Sequence, residues 1–358
     1  MKDRRRAIRQ QQQIRQIQAE SGAHTLRQIP KGNLRSRPSD GTNLLHRIPV
    51  LGYCSVKINS RRTLPMITRL IPVLLLGSSF FIPLPAAWAV PTIQLIVPSY
   101  DYTPGNAFAT IAQGIANDGT VAGAYSSIHV PEASYTRLTN GRFSRPIIVP
   151  GGSFTTAFGI NNSGVVIGTF ISDATHGFFF DGTTYTQFDL PGYANTYIFG
   201  ENDAGDFVGV AIDAGGVDTG YISVGGVITT FTIPGASEVD PRGINSLGQV
   251  AGYYFANSIQ HGFFRDADGT LTYPIDFPGA RTTTIFGLND RGSMVGTYGD
   301  LADTQHAFVL RNGTRFVPYD HPDGSATFFA GVNNSGFICG YYSDTSGSSH
   351  AFIARIEP

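Results

Sequence analysis

Residues 90–358, here called the acidic part of the chain, contain no lysine. Only 14% of the 358 residues are charged, and residues 90–358 contain ten arginines but no lysine. Because those residues also carry 23 Asp and Glu, their net charge is −13, whereas residues 1–89 hold 15 Lys and Arg and three acids. A surface this acidic repels nucleic acid and anionic membranes, which need a basic face for binding. We therefore expect no nucleic-acid partner.

Cysteine is equally scarce, with one residue, Cys54, in the basic part and one, Cys339, in the acidic part. A disulfide framework is therefore excluded for residues 90–358, and stability must come from core burial. Cys339 occupies a repeat position that is otherwise apolar, which predicts a buried small side chain rather than a nucleophile. The sequence also lacks a Gly-x-Ser-x-Gly elbow, a His-Glu-x-x-His helix and a phosphate loop, so we predict no catalytic residue.

The N-terminal 89 residues divide into two segments. Residues 1–65 are rich in Gln and Arg with little apolar periodicity, which predicts disorder, and we interpret Met66 as the true start. Residues 66–89 combine Arg69, an apolar run from position 71 to 82 and the small-x-small site at 87–89, the three parts of a signal peptide. A membrane anchor is the alternative, but the prolines and the short apolar run disfavour it. We expect secretion, extracellular or to the cell envelope, with no membrane span after cleavage.

A decapeptide recurs six times in the acidic part, and it decides the fold. Successive copies begin 45, 41, 43, 44 and 44 residues apart, and each has the form Gly-x-Asn-x-x-Gly-x-x-x-Gly or a close variant. The copies are Gly114–Gly123, Gly159–Gly168, Gly200–Gly209, Gly243–Gly252, Gly287–Gly296 and Gly331–Gly340. Repeats of this length are typical of propeller blades.

Each repeat contains four strand signals, here called strands a to d. Strand a ends in Gly-Ile-Asn, and a tight Asn-x-x-Gly turn leads to strand b, because glycine supplies the positive φ that the turn needs. Strand c carries His-Gly-Phe or His-Ala-Phe in four repeats, and dipeptides such as Asp181-Gly182 mark the c–d hairpin. Strand d ends in an apolar run followed by Pro-Gly. Four antiparallel strands in about 44 residues predict one propeller blade per repeat.

The two ends of the acidic part complement one another. The last repeat stops after strand c, and an orphan strand d, residues 92–98, precedes the first repeat. In a closed ring that strand completes the last blade and removes an exposed edge. An open β-solenoid is the alternative, but it would need capping repeats. We predict an all-β fold over residues 90–358, a six-bladed β-propeller of four-stranded antiparallel blades closed by the N-terminal strand 92–98.

The decapeptide together with the His-Ala-Phe strand resembles the HAF family of extracellular repeats. His306-Ala307-Phe308 and His350-Ala351-Phe352 are literal matches, and the resemblance covers residues 92–358. Repeats one and three lack the histidine, so it is not required in every blade. The resemblance implies a secreted bacterial protein with propeller-like repeats. It implies no reaction, because the repeat rather than an activity defines the family.

Two features suggest metal binding but have simpler explanations. The repeated histidines lie on strand c, third from the ring axis, so they are too far apart to share one metal, and we interpret them as structural hydrogen-bonding groups. Asp266-Ala267-Asp268-Gly269 resembles the start of a calcium loop but lacks the distal glutamate and occupies a hairpin position. We predict no metal site and no cofactor, with calcium the only one left open.

Departures from the repeat give the candidate site. Glu201 and Arg242 place charge on strand a where most repeats are apolar, which predicts an ion pair lining the channel, either structural or for a ligand. The b–c and d–a loops share one face and vary most, and binding usually lies on variable loops of a rigid scaffold. The tentative ligand-binding residues are Tyr193, Glu201, Glu238, Asp240, Arg242 and Arg281.

Three functions remain open on this basis. The first is a non-catalytic binding or surface-interaction module with an extracellular glycan or protein ligand, and we expect it to be a monomer. The second is a secreted glycan-active hydrolase or lyase, which needs two carboxylates facing one cleft; Glu201 with Asp240 is the better pair. The third is a calcium-stabilised adhesion protein, suggested by the acidity.

Overall fold

The computed structural model describes residues 92–103, 107–127, 130 and 132–357. These residues form 23 β-strands and no α-helix. Among them, no helix is long and apolar enough to cross a membrane. The predictions for residues 1–89 lie outside the described residues.

The strands form six antiparallel blades, each numbered by the repeat that supplies its strand a. Blade one contains β2 (Ala107–Ile115), β3 (Val121–Ser127) and β4 (Ala133–Arg137), with its fourth strand reduced to the isolated bridges of Ile147 and Phe143. Blade two contains β5 (Phe154–Ile160), β6 (Val166–Ile171), β7 (Thr175–Phe180) and β8 (Tyr185–Phe188). Blade three contains β9 (Asn195–Glu201), β10 (Phe207–Ile212), β11 (Asp218–Val224) and β12 (Val227–Phe231).

The other three blades follow the same order. Blade four contains β13 (Glu238–Ile244), β14 (Val250–Ala256), β15 (Ile259–Arg265) and β16 (Leu271–Ile275). Blade five contains β17 (Thr282–Leu288), β18 (Met294–Gly299), β19 (Gln305–Arg311) and β20 (Arg315–Tyr319). Blade six contains β21 (Ala326–Val332), β22 (Phe337–Ser343), β23 (Ser349–Ile356) and, as its outermost strand, β1 (Ile93–Tyr100).

The N-terminal strand completes the last blade, as the sequence predicts. β1 pairs antiparallel with β23, from Ile93 opposite Ile356 to Tyr100 opposite Ala351. It extends two residues beyond the predicted end at Pro98. The backbone N–H of Glu357 donates to the carbonyl of Thr92 at 2.9 Å. The two ends of the propeller are therefore fastened together in one sheet.

The inner strands close into a ring because the first glycine of each decapeptide allows very close approach. A Cβ at Gly200 would lie 2.4 Å from the carbonyl oxygen of Arg242 in the next blade. A Cβ at Gly331 would lie 2.9 Å from the carbonyl oxygen of Gln113, across the junction of blades six and one. Any larger residue would push neighbouring blades apart. The repeated glycine is thus explained by packing around the axis.

A β-bulge at the same position of every strand a explains the last glycine of the decapeptide. In blade three, Val208 lies opposite Gly200 and Gly209 opposite Ile198, which leaves Phe199 unpaired. The bulge brings the carbonyl of Tyr197 against strand b, where a Cβ at Gly209 would be only 1.8 Å away. The unpaired residues, here called the bulge residues, are Gln113, Phe158, Phe199, Arg242, Phe286 and Ala330.

The hydrophobic core lies between blades. Six buried clusters each span one junction; in the cluster between blades four and five, for example, Ile275 packs with Ile285 and Phe308. Cys339 lies in the cluster between blades six and one and is fully buried. Burial raises the pKa of its thiol to about 12, so it stays neutral. The prediction of a buried small side chain at this position is confirmed.

Candidate functional site

The a–b turns of all six blades meet at one mouth of the axial channel, and asparagine side chains link them. Asn202 Oδ1 accepts from the N–H groups of Ala204 and Asp206 in its own turn, both at 3.0 Å. Its Nδ2 donates to the carbonyl of Asn245 in the next blade at 3.0 Å. The equivalent donors to the following blade are Asn245, Asn289 and Asn333. The repeated Asn therefore shapes its turn and also ties adjacent blades together.

The residue after each of these positions forms a second, outer set of links. Asp203 accepts from the backbone N–H of Asn162 at 2.8 Å, and Asn117 accepts from the N–H of Asn334 at 2.8 Å, across the junction of blades six and one. Asp290 likewise accepts from the N–H of Ser246. Oxygen atoms dominate this mouth, but they are largely occupied in holding the ring.

Glu201 lines the open cavity framed by these turns, here called the mouth cavity, whose volume is about 80 Å³. That volume is sufficient for water or an ion. In the other blades the residue at this level is apolar: Ile115, Ile160, Ile244, Leu288 and Val332. Burial, with the charge of Asp203, raises the pKa of Glu201 to about 8. Its carboxyl group is therefore neutral over much of the physiological pH range.

Arg242 is the charged bulge residue, and it is enclosed by aromatic rings. Only 7% of it is exposed. Its guanidinium carbon lies 3.6 Å from the centre of the Phe199 ring and 5.9 Å from that of Phe286, the bulge residues of the two neighbouring blades. Nη2 donates to the Tyr253 hydroxyl at 2.7 Å and lies 3.8 Å from Oδ1 of Asp240. Burial opposes its charge, but Tyr253 and Asp240 outweigh that effect and raise the pKa of Arg242.

The predicted ion pair between Glu201 and Arg242 is wrong. Arg242 pairs instead with Asp240, two residues earlier on its own strand, and Glu201 Oε2 accepts only a long hydrogen bond, 3.4 Å, from Asn161. The bulge is the physical reason. Glu201 follows the first glycine and faces the mouth cavity, whereas Arg242 precedes that glycine and is held among the aromatic bulge residues.

The remaining predicted site residues occupy three places. Glu238 and Asp240 lie on β13 with Arg242, on the half of the strand nearer the loop face. Tyr193, in the d–a loop before blade three, packs against the cluster between blades two and three. Arg281, in the d–a loop before blade five, is half exposed and forms an ion pair with Asp303. The structure thus brings Asp240 and Arg242 together and separates Glu201, Tyr193 and Arg281 from them.

Three polar residues that contact the inner strand a of a blade were missed by the sequence analysis. Tyr253 is buried opposite Asp240 on the adjacent strand. Glu132 accepts a hydrogen bond from Thr156 of β5, and burial raises its pKa. Gln260 accepts one from Thr284 of β17 at 3.4 Å. Departures from the repeat in strand b and at the residue before the histidine position of strand c reveal them, whereas the candidates from the sequence came from strand a and the d–a loops.

The repeated histidines form structural pairs. Nδ1 of His176 lies 2.7 Å from Oδ1 of Asp189, at the end of strand d, and its ring stacks on Phe170 of strand b. The same pairs recur as His261–Asp276, His306–Asp320 and His350–Asp101. Burial lowers the pKa of His176, but hydrogen bonds to Asp189 and Asp173 and their charges outweigh it, so the pKa is raised. These pairs join strands c and d at the periphery, in agreement with the structural interpretation.

Metal ligands do not converge in the part of the chain that the structure describes. No group of three or more His, Cys, Asp or Glu side chains is arranged there to hold an ion. Asp266 and Asp268, the calcium-loop candidates, form a hairpin turn, in which Asp268 accepts from the N–H of Thr270 at 2.8 Å.

No protein-family model matches the chain, and no curated protein matches it. Several solved structures are similar in fold. A virginiamycin B lyase from Staphylococcus aureus is 13% identical with a TM-score of 0.43, over 74% of this chain and 99% of that one. The six-bladed fungal lectin of Aleuria aurantia is 12% identical with a TM-score of 0.45, over 74% and 98%. A protein described as TolB from Agrobacterium tumefaciens is 15% identical with a TM-score of 0.49, over 75% and 98%. At these identities and TM-scores, the similarities carry no argument about function.

Proposed function

We propose that this chain is a secreted, non-catalytic binding module of the bacterial envelope or extracellular space, with its ligand site in the axial channel on the side of the b–c and d–a loops. The observation that carries the proposal is the buried group around Arg242, which combines a charged guanidinium, the nearby carboxylate of Asp240 and flanking aromatic rings. Within this group, Arg242 Nε is buried without a hydrogen-bond partner in the structure. Buried polar groups are nearly always paired in native proteins, and each unpaired one costs about 1–3 kcal/mol.

The chemistry of the loop-side half of the channel favours a ligand with both donors and acceptors. Arg242 offers donors, and Asp240 offers acceptors close to it. Aromatic rings at Phe199 and Tyr253 flank the guanidinium. A sugar hydroxyl both donates and accepts, so an extracellular glycan suits this set, and a polar segment of a protein is the alternative.

The hydrolase or lyase alternative is not favoured by the placement of its two carboxylates. Glu201 lines the mouth cavity at the a–b end, and Asp240 does not. Arg242 lies between them along the channel. It comes after Asp240 on the same strand and before the first glycine of the decapeptide, whereas Glu201 comes after the equivalent glycine of its own blade. Two carboxylates in one cleft, which glycoside hydrolysis needs, are therefore not provided by this pair. Calcium-dependent adhesion stays a second proposal, suggested by the net charge of −13 over residues 90–358.

The test is a glycan array probed with the protein recovered from the culture medium, with and without calcium. We expect binding that Asp240→Asn and Arg242→Met each weaken at least tenfold, since each removes about 1.4 kcal/mol or more. Arg355→Gln, an exposed arginine of blade six, is the matched control and should bind normally. Binding that survives both channel variants would place the site elsewhere, and release of shortened glycans would establish an enzyme.

Secretion is tested separately. Mass spectrometry of the protein in the medium should find an N-terminus at or near Val90. Recovery of peptides from residues 1–60 in that protein would contradict the proposed cleavage.

A further inference from the structure

The outermost strand of blade three differs from the other outer strands in having no protection. β12 pairs only with β11, so within the described residues its other edge is unpaired. An unpaired edge is a template for another strand, and proteins usually block it with charge, proline or shortness. β12 has five residues, Val-Ile-Thr-Thr-Phe, with no charge and no proline.

Each of the other outer strands carries such a device. Pro98 interrupts β1, cis Pro274 lies in β16, and Arg315 and Pro318 lie in β20. β8 has only four residues, and Asp189 follows it directly. In blade one the fourth strand is reduced to two bridges.

The surroundings of β12 are uncharged as well. From Thr219 to Ser237 the chain contains no Asp, Glu, Lys or Arg, within a region of net charge −13. Val224 and Val227, on either side of the β11–β12 turn, are 46% and 66% exposed. Blade three has also lost the His–Asp pair, with Thr219 and Thr232 at the two positions.

We propose that β12 is a self-association edge, on which a second copy of this chain pairs its own β12 antiparallel about a two-fold axis. The distribution of charge favours a second copy of this chain as the partner of β12. Two copies of residues 90–358, which the proposed cleavage leaves, each carry a net charge of −13 and repel each other, and that repulsion is least at the uncharged band of blade three. Antiparallel pairing of a strand with itself is self-complementary, as a two-fold interface requires. Centred on Thr229, it sets Val227 opposite Phe231 of the partner copy. This differs from the monomer expected from the sequence.

The chain itself shows the chemistry of such pairing. Blade six accepts β1 as an added edge strand on β23, through the same antiparallel hydrogen bonds. The added strand there comes from the same chain, whereas at blade three the proposal places it in the second copy.

The proposal is tested by sedimentation velocity of the purified chain over a range of concentrations. We expect a dimer whose dissociation constant rises roughly tenfold or more in Thr229→Lys, because two like charges then face each other across the axis. Thr186→Lys, the exposed threonine at the same position of β8, is the control and should leave the dimer intact. Thermal melting checks that both variants are folded.

A cysteine variant gives an independent reading of the register. In a Cys54→Ser background, Thr229→Cys should form a disulfide-linked dimer under mild oxidation, and Thr186→Cys should not. A chain that is monomeric at all concentrations, equal effects of the two lysine variants, or equal cross-linking of the two cysteine variants would overturn the proposal. The first result would also be the outcome if β12 instead received a segment of residues 1–91 or another protein's strand.

Discussion

Nδ1 of His350 lies 3.0 Å from Oδ1 of Asp101, although 249 positions separate the two residues in the sequence. Asp101 directly follows the N-terminal strand β1, and His350 lies on the last strand of the chain. The pair is therefore one of four repeated His–Asp contacts and also the one that fastens the two ends of the propeller.

This double role predicts different effects for two equivalent substitutions. Asp101→Asn and Asp276→Asn each weaken one His–Asp hydrogen bond, so each should cost about 1 kcal/mol of unfolding free energy. Only Asp101→Asn should speed hydrogen exchange in β1, because β1 is held by a single neighbouring strand. Exchange measured by mass spectrometry on peptides covering residues 93–100 checks this. Equal protection of β1 in both variants would show that the pair does not hold the closing strand.

The second prediction concerns the partners of Arg242. A double-mutant cycle between Asp240→Asn and Arg242→Met should give a coupling energy of about 1 kcal/mol or more, since the two charges are close and buried. The matched cycle between Glu201→Gln and Arg242→Met should give a coupling below about 0.5 kcal/mol, because the two do not touch. Chemical denaturation of the natural chain, the three single variants and the two double variants supplies both values. A larger coupling for Glu201 would restore the ion pair that the structure contradicts.

Glu201 should make the protein less stable as pH rises. Its folded pKa, about 8, lies above the ordinary value of 4.5, so the folded state binds the proton more tightly than the unfolded state. Its contribution is fully present below about pH 4.5 and is lost as pH rises through 8. Glu201→Gln should remove this slope and raise the unfolding free energy at pH 8 by about 1–3 kcal/mol. Denaturation at pH 5, 6.5 and 8 tests it, and parallel pH profiles for both proteins would contradict it.

The bulge gives a sharp prediction for glycine. Gly209→Ala places a methyl group 1.8 Å from the carbonyl of Tyr197, so the strands must separate, at a cost of about 3 kcal/mol or more. Gly215→Ala, in an exposed loop of the same blade, meets only the movable side chain of Asp213 and should cost less than about 0.5 kcal/mol. Melting temperatures of the two variants decide it. Similar melting temperatures would mean that the bulge does not require glycine.

The His–Asp pairs predict a second dependence of stability on pH, which arises from a histidine rather than from a carboxyl group. Because the pKa of His176 is raised in the folded state, its pair stabilises the protein below the unfolded pKa of about 6.5 and loses that effect as pH rises through the folded pKa. The double variant His176→Thr with Asp189→Thr, which copies blade three, should therefore be least stable relative to the natural chain near pH 6. The difference should shrink by pH 8.5. As a control, Thr219→Ala with Thr232→Ala should show a difference independent of pH.

The fold was predictable because the repeat constrains it six times over. One geometric explanation was available for each of three features: the turn glycines, the hairpin dipeptides and the orphan strand. The positive φ of Gly164 and of Gly182 matches the predicted turns. The end of β1 at Tyr100 rather than Pro98 follows from Tyr100-Asp101, which repeats the apolar-Asp ending of strand d. Two residues separate Asp101 from Pro104, whereas one residue separates the equivalent Asp and Pro of other repeats, so the similarity is not obvious in the sequence.

The site was less predictable because its geometry depends on the bulge. Counting along strand a puts Glu201 and Arg242 on inner strands of adjacent blades, which is correct, but the count does not show which level of the channel each side chain reaches. The unpaired bulge residue changes the alternation of side chains at that point. Tyr253 and Glu132 were missed for a different reason, since Tyr253 reaches strand a from strand b of its own blade and Glu132 reaches strand a of the next blade from a loop.

The hydrogen bond between Glu357 and Thr92 means that the propeller has no structural beginning. Its first and last described residues are already neighbours in one sheet, at 2.9 Å between N and O. A short peptide linker across that junction would make the backbone a continuous circle without altering any blade. The same circle could then be cut at another c–d turn, such as the one after β19, and the new chain would again finish its last blade with its own first strand. In this respect the gene order of the blades is arbitrary, and only their cyclic order is fixed.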